Sequence, residues 1–296
     1  MVTDCGLHMR GRGEDARLMN LFPNLGFIAL YTAATVFVLL WGALGRPPLG
    51  AAQFFVERLK KSRTFALHFA AMLAVLLLNK LEISLENAFS LSSDKTAWIF
   101  RIEGDTVARI QSLLYHPWLT PVFAYFYVVV FQTMLIGSLI LYAYERNFRL
   151  YRAVCYAVML NYILAIPFYL FFPVKEVHAF SQNVQFPMLE VYPNFESTYR
   201  HLSDLDNSFP SLHTSISVTM ALLARKSGNR FWRWCTAVAA AVIVTSIFYL
   251  GIHWTADMVA GLALGATAAF TAQKLADMNA AARWTARKTA MRNTAG

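Results

Sequence analysis

Two histidines and an aspartate stand where polar loops meet long apolar runs. His213 ends the run "PSLH", residues 210–213, and His253 precedes Asp257 by four residues in "SIFYLGIHWTAD", residues 246–257. A spacing of four puts two side chains on one face of a helix, so Asp257 can accept a hydrogen bond from His253, fix its tautomer and stabilise its cationic form. An imidazole held in this way can act as a nucleophile, and a second histidine can protonate the leaving group.

The residues just before His213 add an element that can hold an anion. Pro210 suits the first turn of a helix, and the backbone N–H groups of residues 211–213 would then be free at the helix N-terminus, where anions bind. An oriented imidazole, a second imidazole and an anion site together predict phosphoryl chemistry. A metal site made of the two histidines and Asp257 is the alternative that the residue types leave open.

The other histidines and the cysteines do not suggest a second site. A single histidine at a membrane interface is interpreted as an amphipathic cap, and this applies to His8, His68, His116, His178 and His201. Neither a disulfide framework nor a thiolate metal site is expected from the scattered cysteines, which are Cys5, Cys155 and Cys235.

Composition indicates the environment of these residues. The chain has 296 residues, of which 57% are hydrophobic and 15% charged, whereas soluble domains are about 25% charged. Apolar runs long enough to cross a bilayer predict an integral membrane protein with about six or seven spans. These runs lie at roughly 21–45, 64–80, 120–143, 153–172, 211–225, 234–252 and 255–273.

The basic residues indicate how the spans are oriented. Connector 46–63 has five Lys/Arg and connector 225–233 has four, whereas connector 173–210 has two against five acidic residues. Under the positive-inside rule, this difference places the C-terminus in the cytoplasm and the three candidate residues at the non-cytoplasmic face. The net charge of +9 is therefore interpreted as a topology signal, and nucleic acid is not expected as a partner.

The expected fold class is an all-α, polytopic membrane helix bundle. Its N-terminal region, 1–119, would hold two spans and an outer interfacial segment. Residues 120–275 would form the catalytic membrane core, and 276–296 would form a basic cytoplasmic tail. Within the first region, 105–119 is interpreted as an amphipathic helix capped by Asp105, with one apolar face made of Val107, Ile110, Leu113 and Leu114.

Three shorter patterns concern packing and the membrane faces. Gly261 and Gly265 form a GxxxG, which predicts a helix-packing notch. The stretch "LKKSRTF", residues 59–65, is interpreted as solvated flanking charge, with binding of anionic lipid at the inner face as the alternative. An interfacial aromatic belt is expected to include Trp98, Trp118 and Trp254.

The two histidine segments resemble motifs of the type 2 phosphatidic acid phosphatase (PAP2) superfamily. That family carries K-x6-R-P, P-S-G-H and S-R-x5-H-x3-D. Residues 210–213 are similar to the second motif with Leu212 in place of glycine, and residues 246–257 have the spacing of the third with Ile247 in place of arginine. The resemblance covers about residues 120–275 and implies an acid-phosphatase-like helical core.

The resemblance also implies a role for each matching residue. His253 would be the nucleophile that forms a phosphohistidine, Asp257 would orient it, and His213 would be the general acid. The residues expected beside the phosphate are Ser211, Leu212 and Ser246. Because the family holds the phosphoryl oxygens with hydrogen-bond donors and cations, neither a metal nor another cofactor is implied.

The cations of the family pattern are partly missing. No K-x6-R-P is present, because Lys175 is followed seven residues later by Gln182, and Ile247 replaces the arginine of the third motif. A phosphomonoester is nearly dianionic and rewards a full set of cations, whereas a diester carries one charge. The pattern therefore favours a phosphodiester and resembles the inositol phosphorylceramide synthase-like branch. Lys175, or failing that Arg200, is expected to supply the remaining cation.

We therefore expect a membrane enzyme that moves a phospho-headgroup from a phospholipid to a lipid alcohol through a phosphohistidine. Hydrolysis of a lipid phosphate, with water as the acceptor, is the alternative within the family. A lipid transporter or scramblase and an inactive binding protein are the alternatives outside it. A transporter would carry polar groups near the bilayer midplane, where Asn161 and Gln132 are the few candidates. In every case the partners are membrane lipids.

Overall fold

The computed structural model describes residues 20–89, 93–199 and 205–293, and their regular structure is helical throughout. This confirms the expected all-α fold class. In chain order the helices are α1 (Leu25–Leu44), α2 (Leu49–Lys61), α3 (Arg63–Phe89), α4 (Thr96–Glu103), α5 (Thr106–Leu114), α6 (Leu119–Tyr125), α7 (Phe131–Tyr144), α8 (Phe148–Phe171), α9 (Val177–Phe180), α10 (Met188–Val191), α11 (Phe195–Tyr199), α12 (Leu212–Ala224), α13 (Arg230–Tyr249) and α14 (Thr255–Asn293). A π-helical turn, Phe126–Val130, joins α6 to α7.

Among the described residues, five helical segments are long and apolar enough to cross a membrane. They are α1, the joined α6–α7 segment, α8, α13 and the first 24 residues of α14, and the bent pair α2–α3 is a sixth candidate. The predicted run 211–225 is a helix, but α12 has only 13 residues. That is about 20 Å of helix against about 30 Å of hydrocarbon. The protein is therefore a multi-pass membrane bundle of five or six candidate spans, with a short helix at its centre.

The basic connector predicted at 46–63 contains a helix of its own. Helix α2 ends with Arg58, Lys60 and Lys61, and the chain turns by 101° between α2 and α3. A helix that combines apolar and basic residues and lies across the end of a span is typical of a membrane surface. The turn therefore gathers cations at one end of the bundle.

The opposite end of the bundle is covered by short helices and loops. We call α4, α5, residues 172–199 with their short helices α9 to α11, and the loop residues 205–211 the cap. The cap is bonded to the corner between α13 and α14, because the His178 N–H donates to the Gly251 carbonyl (2.9 Å) and the buried Gln111 side chain donates to the Tyr249 carbonyl (2.9 Å). These contacts fix the corner on which two of the three candidate residues lie.

Helix α5 is the amphipathic helix expected at 105–119, but it is shorter and has a different start. Asp105 does not cap it, because its carboxylate accepts a hydrogen bond from the Asn183 side chain (3.1 Å). Val107 is buried while Leu113 is 85% exposed. Three residues of the expected apolar face, Val107, Ile110 and Leu114, pack against the core, whereas Leu113 does not. The polar Gln111 is also buried and bonds to the chain beneath α5.

The predicted glycine notch is confirmed, and it joins the starts of the two helices that carry the site. A Cβ at Gly261 would lie 2.7 Å from the Ser211 carbonyl oxygen, and one at Gly265 would collide with the Ser215 backbone. The Thr219 hydroxyl donates to the Gly265 carbonyl (3.0 Å). Helices α12 and α14 thus pack backbone against backbone, which only glycine permits at these positions.

Replacing Gly265 with alanine should destabilise the protein by about 1–3 kcal/mol, because the added methyl group has no space and the two helices must separate. Gly50→Ala is the matched control, since a Cβ at Gly50 on α2 would have nothing within 4 Å. The measurement is the fraction of each variant that stays monodisperse in detergent after heating. Equal heat resistance of the two variants would contradict the notch.

Candidate active site

The chain reverses between α13 and α14, and this reversal carries His253 and Asp257. Gly251 has φ +69°, a left-handed conformation that glycine adopts without a steric penalty. A Cβ at Gly251 would collide with the Gln185 carbonyl of the cap. The N–H groups of Ile252 (3.0 Å) and His253 (3.4 Å) both point at the Ile247 carbonyl. The glycine therefore lets the chain turn tightly enough to bring His253 under the cap.

Asp257 is fully buried in the first turn of α14, and one oxygen of its carboxylate contacts three neighbouring groups. Its Oδ2 accepts a hydrogen bond from the Trp254 N–H (2.8 Å), one residue before the helix begins, as the third helical residue does in a capping box. The same oxygen lies 3.3 Å from Nδ1 of His253, which is 5% exposed. The four-residue spacing thus places the carboxylate and the imidazole in contact.

Ser208 is the polar neighbour that sequence reasoning missed. Its hydroxyl donates to Oδ2 of Asp257 (2.6 Å) and lies 3.0 Å from Nδ1 of His253. Because a hydroxyl has only one proton to donate, Ser208 must accept from the His253 Nδ1–H. Both the direct contact and the path through Ser208 therefore place the proton on Nδ1, and they leave Nε2 of His253 with its lone pair.

A short pairing of loops holds Ser208 in place. The Val174 N–H donates to the Asp206 carbonyl (2.8 Å), and the Ser208 N–H donates back to the Val174 carbonyl (3.0 Å). No sequence signal marked Ser208, because it lies outside any helix and its partners are 45 and 49 residues away.

Two further contacts fix the start of α14, and both come from the cap. The Glu103 carboxylate at the end of α4 accepts hydrogen bonds from the N–H groups of Thr255 (2.8 Å) and Ala256 (2.5 Å). An anion at a helix N-terminus is stabilising. Trp254 is fully buried and donates its indole N–H to the Lys175 carbonyl (2.9 Å). Trp254 is therefore a structural part of the site and not a member of the exposed aromatic belt.

His213 lies in the first turn of α12, at the same end of the bundle. Its ring stacks on Tyr127 of the π-helical turn, with centroids 3.8 Å apart and planes 14° apart, and it also contacts Phe131 (4.3 Å). Nε2 of His213 is buried and has no hydrogen-bond partner among the described residues. The aromatic rings thus fix the ring plane and leave Nε2 for a ligand.

The start of α12 differs from the expected anion site in two respects. Pro210 lies before the helix rather than in its first turn, and Ser211 is the cap, accepting from the Thr214 N–H (3.3 Å). The Ser211 N–H is not free, because it donates to the main-chain carbonyl of Asp257 (3.2 Å). This bond ties the two histidine segments together, and it leaves the N–H groups of Leu212 and His213 as the donors of that turn.

The remaining predicted residues have partners other than the histidine rings. The Ser246 hydroxyl donates within α13 to the Ile243 carbonyl (2.7 Å). Leu212 packs against the apolar core. Lys175 has its backbone at the site, but its ammonium group pairs with Asp94 (3.2 Å). Arg200 lies outside the described residues, as do His8, His201 and Cys5.

The Asp94–Lys175 pair is held as an ion pair at the edge of the cap. Burial acts to raise the pKa of Asp94, but hydrogen bonds from Thr96 and the nearby Lys175 outweigh it and hold that pKa below its ordinary value. Lys175 must therefore exchange Asp94 for a phosphate if it is to bind substrate. No group of three or more His, Cys, Asp or Glu side chains arranged to hold a metal occurs in the part of the chain that the structure describes.

Comparison with known proteins assigns the segment that carries this site. A family model described as the PAP2 superfamily matches residues 97–271. The match starts in α4, earlier than the residue 120 expected from the motifs, and so includes Glu103. Over 69 residues the chain is 39% identical to "Putative undecaprenyl-diphosphatase YbjG" of Escherichia coli strain K12. Those residues are 23% of this chain and 34% of that relative, so the chain spans about a third of it. No solved structure matches the chain.

Proposed function

Because the chain belongs to the PAP2 superfamily, we propose that it is a membrane enzyme that cleaves phosphate esters of lipids through a phosphohistidine at His253. One observation carries this proposal: Nδ1 of His253 is held by Asp257 and Ser208 while Nε2 keeps its lone pair. An imidazole with one nitrogen fixed by a carboxylate is an activated nucleophile.

In the first step, Nε2 of His253 forms a bond to phosphorus as the bond from phosphorus to the leaving oxygen breaks. His213 gives a proton to that oxygen, and Asp257 stabilises the charge that develops on the His253 ring. The N–H groups of Leu212 and His213, at the start of α12, would donate hydrogen bonds to the phosphoryl oxygens.

In the second step, the oxygen of an acceptor bonds to phosphorus and the bond to Nε2 breaks. His213, now neutral, takes the acceptor's proton, so that both histidines return to their starting state. The acceptor decides the class of enzyme. Water gives a phosphatase, and the hydroxyl of a lipid alcohol gives a phosphotransferase.

Different observations favour the two acceptors. The shortage of cations favours a singly charged diester and therefore transfer of a phospho-headgroup: Ile247 replaces the motif arginine and Lys175 is engaged by Asp94. The name of the E. coli relative, a putative undecaprenyl-diphosphatase, favours hydrolysis of a lipid diphosphate. We retain headgroup transfer as the leading proposal and hydrolysis as the second candidate.

We also propose that the site opens to the non-cytoplasmic side. The α2–α3 turn, with Arg58, Lys60, Lys61 and Arg63, lies at the end of the bundle opposite the cap, and the positive-inside rule assigns such a cluster to the cytoplasm. Residues 120–275 would then form the catalytic core, with 1–119 as an N-terminal membrane region and 276–296 as a cytoplasmic tail that continues α14 as far as Asn293.

The test uses purified protein in detergent with phospholipids labelled with phosphorus-32, with and without added ceramide or diacylglycerol, and with products separated by thin-layer chromatography. Label that moves onto the added alcohol supports the transferase. Label released as phosphate or as a soluble phospho-headgroup supports the hydrolase. If no product depends on His253, the enzyme proposal is wrong and the transporter and binding alternatives remain.

A further inference from the structure

Lys175 lies between the catalytic corner and the start of α4. Its carbonyl accepts a hydrogen bond from the Trp254 indole N–H (2.9 Å), and its own N–H donates to the Thr96 hydroxyl (2.8 Å). The residue before it, Val174, is paired with the loop that holds Ser208. These bonds fix the Lys175 backbone at the edge of the active site, so the place of its ammonium group is decided by the side chain.

The Asp94 carboxylate engages that ammonium group. Its Oδ2 lies 3.2 Å from Nζ of Lys175, while its Oδ1 accepts from both the N–H (2.8 Å) and the hydroxyl of Thr96. The neighbouring Lys95 donates its own ammonium group to the Ser93 hydroxyl (2.8 Å). The first turn of α4 thus holds Asp94 in a position where its second oxygen faces Lys175.

The ion pair is exposed enough to open. The Lys175 side chain is 47% exposed and that of Asp94 is 41% exposed, and an ion pair with this exposure is weak. Trp98, one turn further along α4, is 54% exposed and contacts Phe172 (5.9 Å between ring centres). Exposed tryptophans of membrane proteins concentrate at the level of the lipid headgroups. A lipid phosphate that arrives at this level can therefore draw the ammonium group away from Asp94.

The carboxylate changes which phosphate gains most from Lys175. The ammonium group alone carries one positive charge, whereas the ammonium group and Asp94 together carry none. A phosphomonoester carries nearly two negative charges at neutral pH, and a phosphodiester carries one. Because Coulomb energy is proportional to charge, Asp94 repels the monoester about twice as strongly as the diester. The carboxylate thus removes much of the advantage that a monoester would gain from the cation.

We propose that Asp94 is a specificity-determining residue, which favours singly charged phosphodiesters over phosphomonoesters at His253. This inference rests on the proposed function, because the phosphate that reacts at His253 must come within reach of Lys175. Ile247 acts in the same direction, since it takes the place of a second cation. Asp94 lies just before the segment that matches the family, 97–271, so the matched segment does not include this determinant.

The test compares phosphatidate with phosphatidylglycerol of the same acyl chains, since the two lipids differ in phosphate charge and neither has a cationic headgroup. In both, the bond from phosphorus to the glycerol oxygen of diacylglycerol breaks as Nε2 of His253 bonds to phosphorus, and His213 protonates that oxygen. Diacylglycerol released in a single turnover therefore reports the same step whatever the acceptor. For Asp94→Asn we expect the rate with phosphatidate, relative to phosphatidylglycerol, to rise about three- to tenfold.

Two variants separate the charge of Asp94 from its structural contacts. The amide of Asp94→Asn can still accept from Thr96, whereas Asp94→Glu keeps the charge and should keep the wild-type ratio of rates. Glu190→Gln removes a charge elsewhere in the cap, where the amide can still accept from the Tyr115 hydroxyl (2.9 Å from Glu190), and it should also keep that ratio. An unchanged ratio in Asp94→Asn, or an equal change in Glu190→Gln, would overturn the proposal.

Binding to protein that carries His253→Ala separates this inference from the proposed function. Native mass spectrometry of an equimolar mixture of the two lipids in detergent gives the ratio of bound lipids without turnover, and Asp94→Asn should shift it toward phosphatidate. Diacylglycerol release with both ratios unshifted would overturn the role of Asp94 and leave the enzyme proposal intact. A shifted binding ratio without any His253-dependent release would support the role of Asp94 in binding and overturn the enzyme proposal.

Discussion

Replacing His253 with alanine should remove turnover entirely, with a fall in kcat of about 10⁴-fold or more, because the variant has no nucleophile with which to form the covalent intermediate. The fold should survive, since the backbone of the α13–α14 corner is held by Gly251, Glu103 and the Ile247 carbonyl. The direct measurement is an alkaline detergent quench after a short incubation with phosphorus-32-labelled lipid, followed by detection of label on the protein that is stable in base and lost in acid, as expected of a phosphohistidine.

The matched control is His116→Ala, which removes another histidine at the same end of the bundle. His116 is exposed, and it contributes its carbonyl to the Tyr249 hydroxyl (2.8 Å), a contact that alanine preserves. This control should keep wild-type activity within a few-fold. Covalent label that persists in His253→Ala and vanishes in another histidine variant would assign the nucleophile elsewhere.

Replacing Asp257 with asparagine should lower kcat by about 10³–10⁴-fold with little change in lipid binding, as expected when a histidine loses the carboxylate that fixes its tautomer. Asparagine can still accept from the Trp254 N–H, so the start of α14 should keep its shape. Its neutral amide cannot stabilise the cationic ring of His253. Single-turnover rates separate this loss in the chemical step from any change in affinity.

The variant Ser208→Ala tests whether Asp257 acts on His253 by direct contact or through the Ser208 hydroxyl. If the direct contact at 3.3 Å carries the effect, Ser208→Ala should cost much less than Asp257→Asn. If the path through the hydroxyl carries it, the two variants and their combination should lose activity to the same extent, because residues that act as one unit are not additive. A wild-type rate for both variants would reject the proposed role of the carboxylate.

Sequence reasoning could place the site residues that lie close to one another along the chain. His253 and Asp257 are one helical turn apart, and Gly261 and Gly265 mark the face of α14 that packs on α12, so periodicity alone places them. Ser208 and Glu103 depend on contacts 49 and up to 153 residues away. A loop serine and a glutamate at the end of a short helix have no periodic pattern, and only the packed structure brings them to the corner.

The spans were predicted from hydropathy, and the same method explains what was missed. Helix α2 combines an apolar first half with Arg58, Lys60 and Lys61 in its last turn, so its average polarity resembles that of a connector although its backbone is helical. The run 211–225 was placed almost to the residue, but α12 is too short to be counted as a span, because hydropathy does not distinguish a span from a short helix buried by its neighbours. The motif arginine is absent from position 247, and the buried Ile247 offers the corner a carbonyl rather than a cation.

The Ser211–Asp257 bond joins two main chains, and the glycine notch beside it is also a main-chain contact. The spacing of the two histidine segments is thus set in part by contacts between main chains. We expect related proteins that share these main-chain contacts to differ in the lipid that they use. Such differences would arise from changes in the surrounding helices, while the chemical step stays the same.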